Sequence, residues 1–155
     1  MRKSFAAEDK DGWTPLRLAS RSGHMEVTRF LVEHGANITA RVKDGSTPLH
    51  LASQNGHVEV MQFLVEHGAD PTALSNYGWT PLHLASHNGH MEITDSLVEH
   101  GANPLAQDKD KDGWTPLHLA SQKGHVQVTR FLCEDSANKT VQKNNCLTPL
   151  HCCIA

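Results

Sequence analysis

The sequence predicts an all-α repeat solenoid, in which helix-turn-helix units stack along one axis. Five copies of Thr-Pro-Leu-His, or of a one-residue variant, follow each other at intervals of 33, 33, 35 and 33 residues. A fixed period of this size is typical of one supersecondary unit that buries its apolar surface against its neighbours. Residues that recur in every copy therefore serve the architecture, and function is expected where the copies differ. The copies start at Thr14, Thr47, Thr80, Thr115 and Thr148.

The first helix of each unit is predicted by the tetrapeptide itself. In the second copy, Thr47 can cap the helix, and Pro48 suits the first helical position, where a missing N–H costs nothing. Gly56 follows eight residues later. Because glycine readily adopts the left-handed conformation, Gly56 is expected to end this helix.

The second helix is predicted over residues 58–66, where Val60, Phe63 and Leu64 have the spacing of a buried stripe. Gly68 is expected to end it. Neither helix is long enough to be stable alone in water, so stacking on neighbouring units must stabilise both.

These stretches resemble the ankyrin-repeat family. In the second copy the matching residues are 45–52, 55–60 and 64–69, and equivalent stretches recur in the other complete copies. The resemblance implies antiparallel helix pairs with β-hairpin fingers, stacked into a curved solenoid that binds a partner protein on its concave face. It divides the chain into a lead-in, 1–8, and a repeat domain, 9–155, with repeats at about 11–43, 44–76, 77–111 and 112–144 and a partial fifth at 145–155.

Composition and charge exclude several function classes. The chain has 14 Lys and Arg against 17 Asp and Glu, a net charge of -3, and no basic block that would indicate nucleic-acid binding. No apolar run approaches the about 18 residues of a membrane span, and no signal peptide is recognisable. We therefore expect a soluble, intracellular, cytoplasmic monomer with neither a membrane nor a nucleic acid as partner.

Twelve histidines raise the question of a metal site. All but His87 occupy three repeated positions, and the resemblance implies that the tetrapeptide histidine is a structural hydrogen-bond hub. Stacked helices lie about 8–10 Å apart, so equivalent histidines cannot share a zinc ion that needs ligands at about 2.0–2.1 Å. We therefore expect no metal and no cofactor. The three classes are His50, His83, His118 and His151; His24, His57, His90 and His125; and His34, His67 and His100.

One finger resembles the first half of a calcium-binding loop. Asp108, Asp110 and Asp112 alternate ahead of Gly113, but the bidentate Glu needed at the twelfth position is replaced by Leu119. A solvated charged finger is therefore favoured over a calcium site. Two extra residues within 107–112 account for the 35-residue interval and predict a finger that protrudes further than the others.

All three tryptophans occupy one finger position, where the second copy has Ser46. Tryptophan is enriched at interface hot spots, but each ring could instead pack half-buried on the neighbouring finger. Both interpretations remain open from the sequence. The residues are Trp13, Trp79 and Trp114, with Tyr77 close to the second of them.

The other variable position is the end of each first helix. Neutral polar pairs in the centre, with a cation at either end, would suit a polar or mildly acidic partner, although surface drift would give the same pattern. The pairs are Arg21-Ser22, Gln54-Asn55, His87-Asn88 and Gln122-Lys123.

No catalytic constellation or phosphate-binding loop is recognisable, so the sequence predicts a non-catalytic protein-interaction module. The alternatives are a calcium-responsive domain and a structural spacer within a longer array. The candidate partner-binding residues are Trp13, Ser46, Tyr77, Trp79 and Trp114 on the fingers, and Arg21, Gln54, Asn55, His87, Asn88, Gln122 and Lys123 on the first helices.

Overall fold

The computed structural model describes residues 5, 7–109 and 113–135, and these form eight helices in four pairs. The predicted all-α repeat solenoid is confirmed. The fifth copy of the tetrapeptide lies outside the described residues. The first helices are α1 (Pro15–Ser22), α3 (Pro48–Asn55), α5 (Pro81–Asn88) and α7 (Pro116–Lys123), and the second helices are α2 (Met25–Glu33), α4 (Val58–Glu66), α6 (Met91–Glu99) and α8 (Val126–Asp135).

The first helices begin and end as the sequence predicts. In α3 the Thr47 hydroxyl accepts a hydrogen bond from the His50 N–H at 3.4 Å, and the Thr47 N–H donates to His50 Nδ1 at 3.2 Å. These two bonds form a capping box that satisfies orphan N–H groups at the helix start. Gly56 ends the helix at φ 80°.

The helices form two rows. Neighbouring first helices contact one another more extensively along the stack than neighbouring second helices do. We call the side formed by the closely packed first helices the inner side, and the side formed by the second helices the outer side.

The core lies between consecutive repeats. The predicted stripe of the second copy is confirmed, since Val60, Phe63 and Leu64 are 1%, 6% and 0% exposed. The central cluster draws its buried residues from the second and third repeats alike, which shows that the apolar surface is shared between units. Its largest members are Leu49, Met61, Leu64, Leu82, Ile93 and Leu97.

The first repeat carries the same apolar positions, but they are more exposed than in the second repeat. Leu18, Val27 and Phe30 are 49%, 49% and 52% exposed. Phe5 contacts part of this face, with its ring centroid 6.2 Å from that of Phe30. The equivalent residues of the second repeat lie against the first repeat and are at most 6% exposed: Leu51, Val60 and Phe63.

The fingers join one repeat to the next and are tight turns, not strand pairs, throughout the part of the chain that the structure describes. Each turn is closed by a backbone hydrogen bond, for example from Ser75 N to the Trp79 carbonyl at 2.9 Å. The fourth finger is closed in the same way, from Asp108 N to the Trp114 carbonyl at 2.9 Å. Residues 110–112 lie outside the described residues, so the protrusion of this finger stays a prediction.

Candidate functional site

The tetrapeptide histidines hold the finger of the next repeat. His50 Nε2 donates to the Trp79 carbonyl at 3.0 Å, and His83 Nε2 donates to the Trp114 carbonyl at 3.1 Å. Since Nδ1 of each ring accepts the capping N–H, both rings are neutral. Burial lowers the pKa of His50, and it lowers the pKa of His83 from 6.5 to about 4.

A second class of histidine holds the end of the preceding first helix. In His57, His90 and His125, Nε2 donates to a backbone carbonyl one repeat upstream, at 2.9 to 3.0 Å. The residues that accept these bonds are the variable ones at the first-helix ends, so the next repeat fixes their backbone. The pairs are His57 with Arg21, His90 with Gln54, and His125 with His87.

Glycine precedes each histidine of this second class, and Gly56 shows two physical reasons for it. Gly56 adopts φ +80°, which L side chains rarely adopt. A Cβ at Gly56 would also lie 2.8 Å from the ring of His90, which packs over it. The Gly-His dipeptide therefore ends a helix and also contacts the adjacent repeats.

The finger tryptophans and the first-helix ends, which the sequence presented as separate sets, meet in pairs. The Trp79 and His87 ring centroids lie 5.5 Å apart, and the Arg21 guanidinium carbon lies 5.3 Å from the centroid of the Trp13 ring. In both pairs the partner of the tryptophan belongs to the first helix of its own repeat. The Trp114 ring instead lies near a tetrapeptide histidine, with its centroid 5.8 Å from that of His118.

The candidate residues differ in how much surface they offer. Tyr77 is 63% exposed, and its carbonyl accepts the Lys109 N–H from the next finger at 3.2 Å. The three tryptophans and His87 are half-buried, whereas Ser46 is only 7% exposed. Ser46 therefore presents little surface to a partner. The remaining candidates are exposed: Arg21, Gln54, Asn55, Asn88, Gln122 and Lys123.

Two of the exposed candidates also serve the helices that carry them. The side-chain amides of Asn55 and Asn88 donate to the Leu51 and Leu84 carbonyls, both at 2.8 Å. Each bond joins the side chain to a carbonyl one turn earlier in its own helix. Asn55 and Asn88 are thus helix-end residues as well as surface residues.

His87, in the third repeat, has both positively charged and neutral polar neighbours. Its pKa is lowered, first by partial burial and then by the positive charges of Lys123 and His125, while a hydrogen bond with Asn88 acts in the opposite direction. A neutral His87 ring beside Trp79 forms a flat, weakly polar surface that can stack on or hydrogen-bond to a ligand.

Arg17 occupies the hub position of the first repeat and is 1% exposed. Its Nη2 lies 3.4 Å from Glu8 Oε1, but its Nε and Nη1 have no hydrogen-bond partner. Arg17 is the residue that makes the first tetrapeptide a one-residue variant. Its burial was not predictable from the sequence, because arginine is usually exposed.

In the finger that resembles a calcium-binding loop, at least one carboxylate oxygen bonds to the backbone of the finger itself. Asp108 is 9% exposed, and its Oδ1 accepts the Trp114 N–H at 2.9 Å, just as Asp9 Oδ1 accepts the Trp13 N–H at 2.8 Å. Asp110 and Asp112 lie outside the described residues. Within the described ranges, no group of three or more His, Cys, Asp or Glu side chains could hold a metal ion, and no helix is long and apolar enough to cross a membrane.

Two family models match most of the chain. A family model described as ankyrin repeats (3 copies) matches residues 2–75 and again 38–108, and a model described as ankyrin repeats (many copies) matches residues 87–133. No curated protein matches the chain.

Proposed function

Because this chain belongs to the ankyrin-repeat family, we propose that it is a non-catalytic module that binds a partner protein across its fingers and first helices. Ankyrin repeats commonly mediate protein–protein interactions. We define the variable surface as Trp13, Arg21, Gln54, Asn55, Tyr77, Trp79, His87, Asn88, Trp114, Gln122 and Lys123. Ser46 is left out because it is buried.

The observation that carries this proposal is that recurring histidines fix the variable residues from the adjacent repeat. The Trp79 carbonyl is bonded to His50, and the His87 carbonyl is bonded to His125. Hydrogen bonds from the preceding and the following repeat already order the backbone of this surface. It therefore loses little conformational freedom on binding, and more of the contact energy contributes to affinity. The recurring residues thus present the varying ones in a fixed arrangement.

Trp79 and His87 are the centre of the proposed interface. They lie in the third of the four repeats that the structure describes and contact each other at a 5.5 Å centroid distance. Tryptophan is among the residue types most enriched at binding hot spots, which cluster near the centre of an interface. Tyr77, exposed on the same finger, extends this aromatic patch outward.

The test is a quantitative binding measurement on a captured partner. A partner recovered with the wild-type chain is titrated against Trp79→Ala/His87→Ala and against a control, Glu92→Ala/Glu99→Ala, on the outer helix α6 of the same repeat. Loss of two hot-spot side chains should weaken binding more than about tenfold. The outer-face control should bind as the wild type does.

Thermal melting of both variants establishes whether the fold is retained. If the Trp79/His87 variant melts normally and binds with wild-type affinity, the partner does not use the variable surface. Weaker binding by the α6 control alone would place the interface on the opposite side of the solenoid and refute the proposal.

A further inference from the structure

Acidic side chains are distributed unequally between the two rows of helices. The four first helices, α1, α3, α5 and α7, contain no Asp or Glu. The four second helices contain nine, all exposed, against only two arginines, Arg29 and Arg130. The nine are Glu26, Glu33, Glu59, Glu66, Glu92, Asp95, Glu99, Glu134 and Asp135.

The fingers carry charges of both signs, and the carboxylates of Asp9, Asp11 and Asp44 each bond to the protein itself. Asp9 and Asp44 accept backbone N–H groups of their own turns at 2.8 to 2.9 Å. Asp11 lies 2.7 Å from the ammonium group of Lys43. Lys10 and Lys109 are exposed on the same fingers.

The cations of the first helices lie at the two ends of the row. Arg21 is exposed at the end of α1, where its guanidinium lies over Trp13, and Lys123 is exposed at the end of α7. Between them stand neutral groups that can donate or accept hydrogen bonds, namely Gln54, His87 and Asn88. The first helices therefore carry positive charge at the two ends of their row and none of the carboxylates that the second helices carry.

From this arrangement we propose that the variable surface binds an extended acidic segment of the partner protein. Three repeat steps of about 8–10 Å separate Arg21 from Lys123, which is about 24–30 Å. An extended chain rises about 3.3 Å per residue, so about eight residues span this distance. Carboxylates near the two ends of the segment lie at Arg21 and Lys123, and its middle crosses Trp79 and His87.

The inference rests on the proposed function and specifies the chemistry of the partner. The whole chain has a net charge of -3 and therefore repels an acidic peptide at long range. Such a peptide can therefore bind only where the surface is locally positive. Its binding would thus identify the cations of the variable surface as the cause. Interface charges act strongly on association rate and on salt dependence, so both should reveal the cations.

The experiment uses the full chain and four fluorescent ten-residue probes: alternating Glu-Ser, Lys-Ser and Gln-Ser peptides, and a single-stranded oligonucleotide. Fluorescence anisotropy at low salt should show binding of the Glu-Ser peptide in preference to the other three. Arg21→Glu and Lys123→Glu should each weaken that binding about five- to tenfold. The matched control is Arg130→Glu, which reverses an exposed arginine on the outer helix α8 and should leave binding unchanged.

Three results would overturn the proposal. Equal affinity for the Glu-Ser and Gln-Ser peptides would mean that charge is not recognised, and an equal effect of Arg130→Glu would mean that only net charge matters. Oligonucleotide binding with the same dependence on Arg21 and Lys123 would make the surface a nucleic-acid site. Lys123→Glu alone decides the question if Arg21→Glu fails to fold.

The captured partner separates this inference from the function on which it rests. Binding that is lost in Trp79→Ala/His87→Ala and unchanged in Lys123→Glu would leave the interaction module intact and refute the acidic segment. Binding unchanged in both variants would refute the module itself.

Discussion

Acidification should destabilise this protein through His83. The ring is fully buried, its Nδ1 accepts the Thr80 N–H at 3.2 Å, and its Nε2 donates to the Trp114 carbonyl at 3.1 Å. Burial is the main reason why its pKa falls to about 4, against 6.5 for a free histidine. Below pH 6.5 the unfolded chain therefore takes up a proton that the folded chain does not.

The magnitude follows from the gap between the two pKa values. A difference of about 2.5 pKa units, at about 1.36 kcal/mol per unit, corresponds to about 3 kcal/mol. This stability is fully present above pH 6.5 and is lost progressively as the pH falls to about 4. His50 acts in the same direction, because burial also lowers its pKa.

Urea unfolding between pH 7 and pH 4, with wild type and His83→Gln in parallel, isolates this contribution. The carboxylates titrate in both proteins, so the difference in unfolding free energy between them reports His83 alone. That difference should shrink by about 3 kcal/mol over the pH range. If wild type and variant lose stability in parallel, His83 is not held neutral in the fold and the reasoning fails.

Three further predictions concern recurring positions of the repeat, each checked by urea or thermal unfolding. Arg17→His should stabilise by about 1–3 kcal/mol, because it removes buried nitrogens without partners; lower stability would show that the guanidinium is satisfied. Gly56→Ala should cost more than Gly68→Ala, since both have positive φ but only Gly56 has a neighbouring ring within 4 Å; equal costs would contradict the role given to that contact. Leu51→Ala should cost about 2–5 kcal/mol and Leu18→Ala clearly less, because Leu18 is half exposed.

The helix pairs were predictable from single residues because the forces that place them are local. A Thr cap, a Pro at the first helical position and a left-handed Gly each act within one turn, and α3 and α4 have the predicted ends. The hub role of His50 was implied by the family resemblance. Its bond to the Trp79 carbonyl, 29 residues away in the chain, was not predictable from the sequence, because it depends on how consecutive repeats stack.

The candidate surface was predictable as a set of positions but not as a set of contacts. Ser46 shares its position with the tryptophans, yet it is buried because a small side chain there does not reach the surface. The Trp79 ring contacts His87 of its own first helix, whereas the sequence raised packing on the neighbouring finger. Which residue a side chain contacts depends on how the finger folds back over the helix, and repeat spacing alone does not predict this.

The central claim is that recurring residues build the solenoid and varying residues bind the partner. The most direct test replaces the varying residues of the third repeat by those of the second, as Tyr77→Asp, Trp79→Ser and His87→Gln, and leaves every recurring residue in place. This chain should unfold cooperatively as the wild type does and bind the captured partner more than about tenfold more weakly. Unchanged affinity, or loss of the fold itself, would contradict the claim.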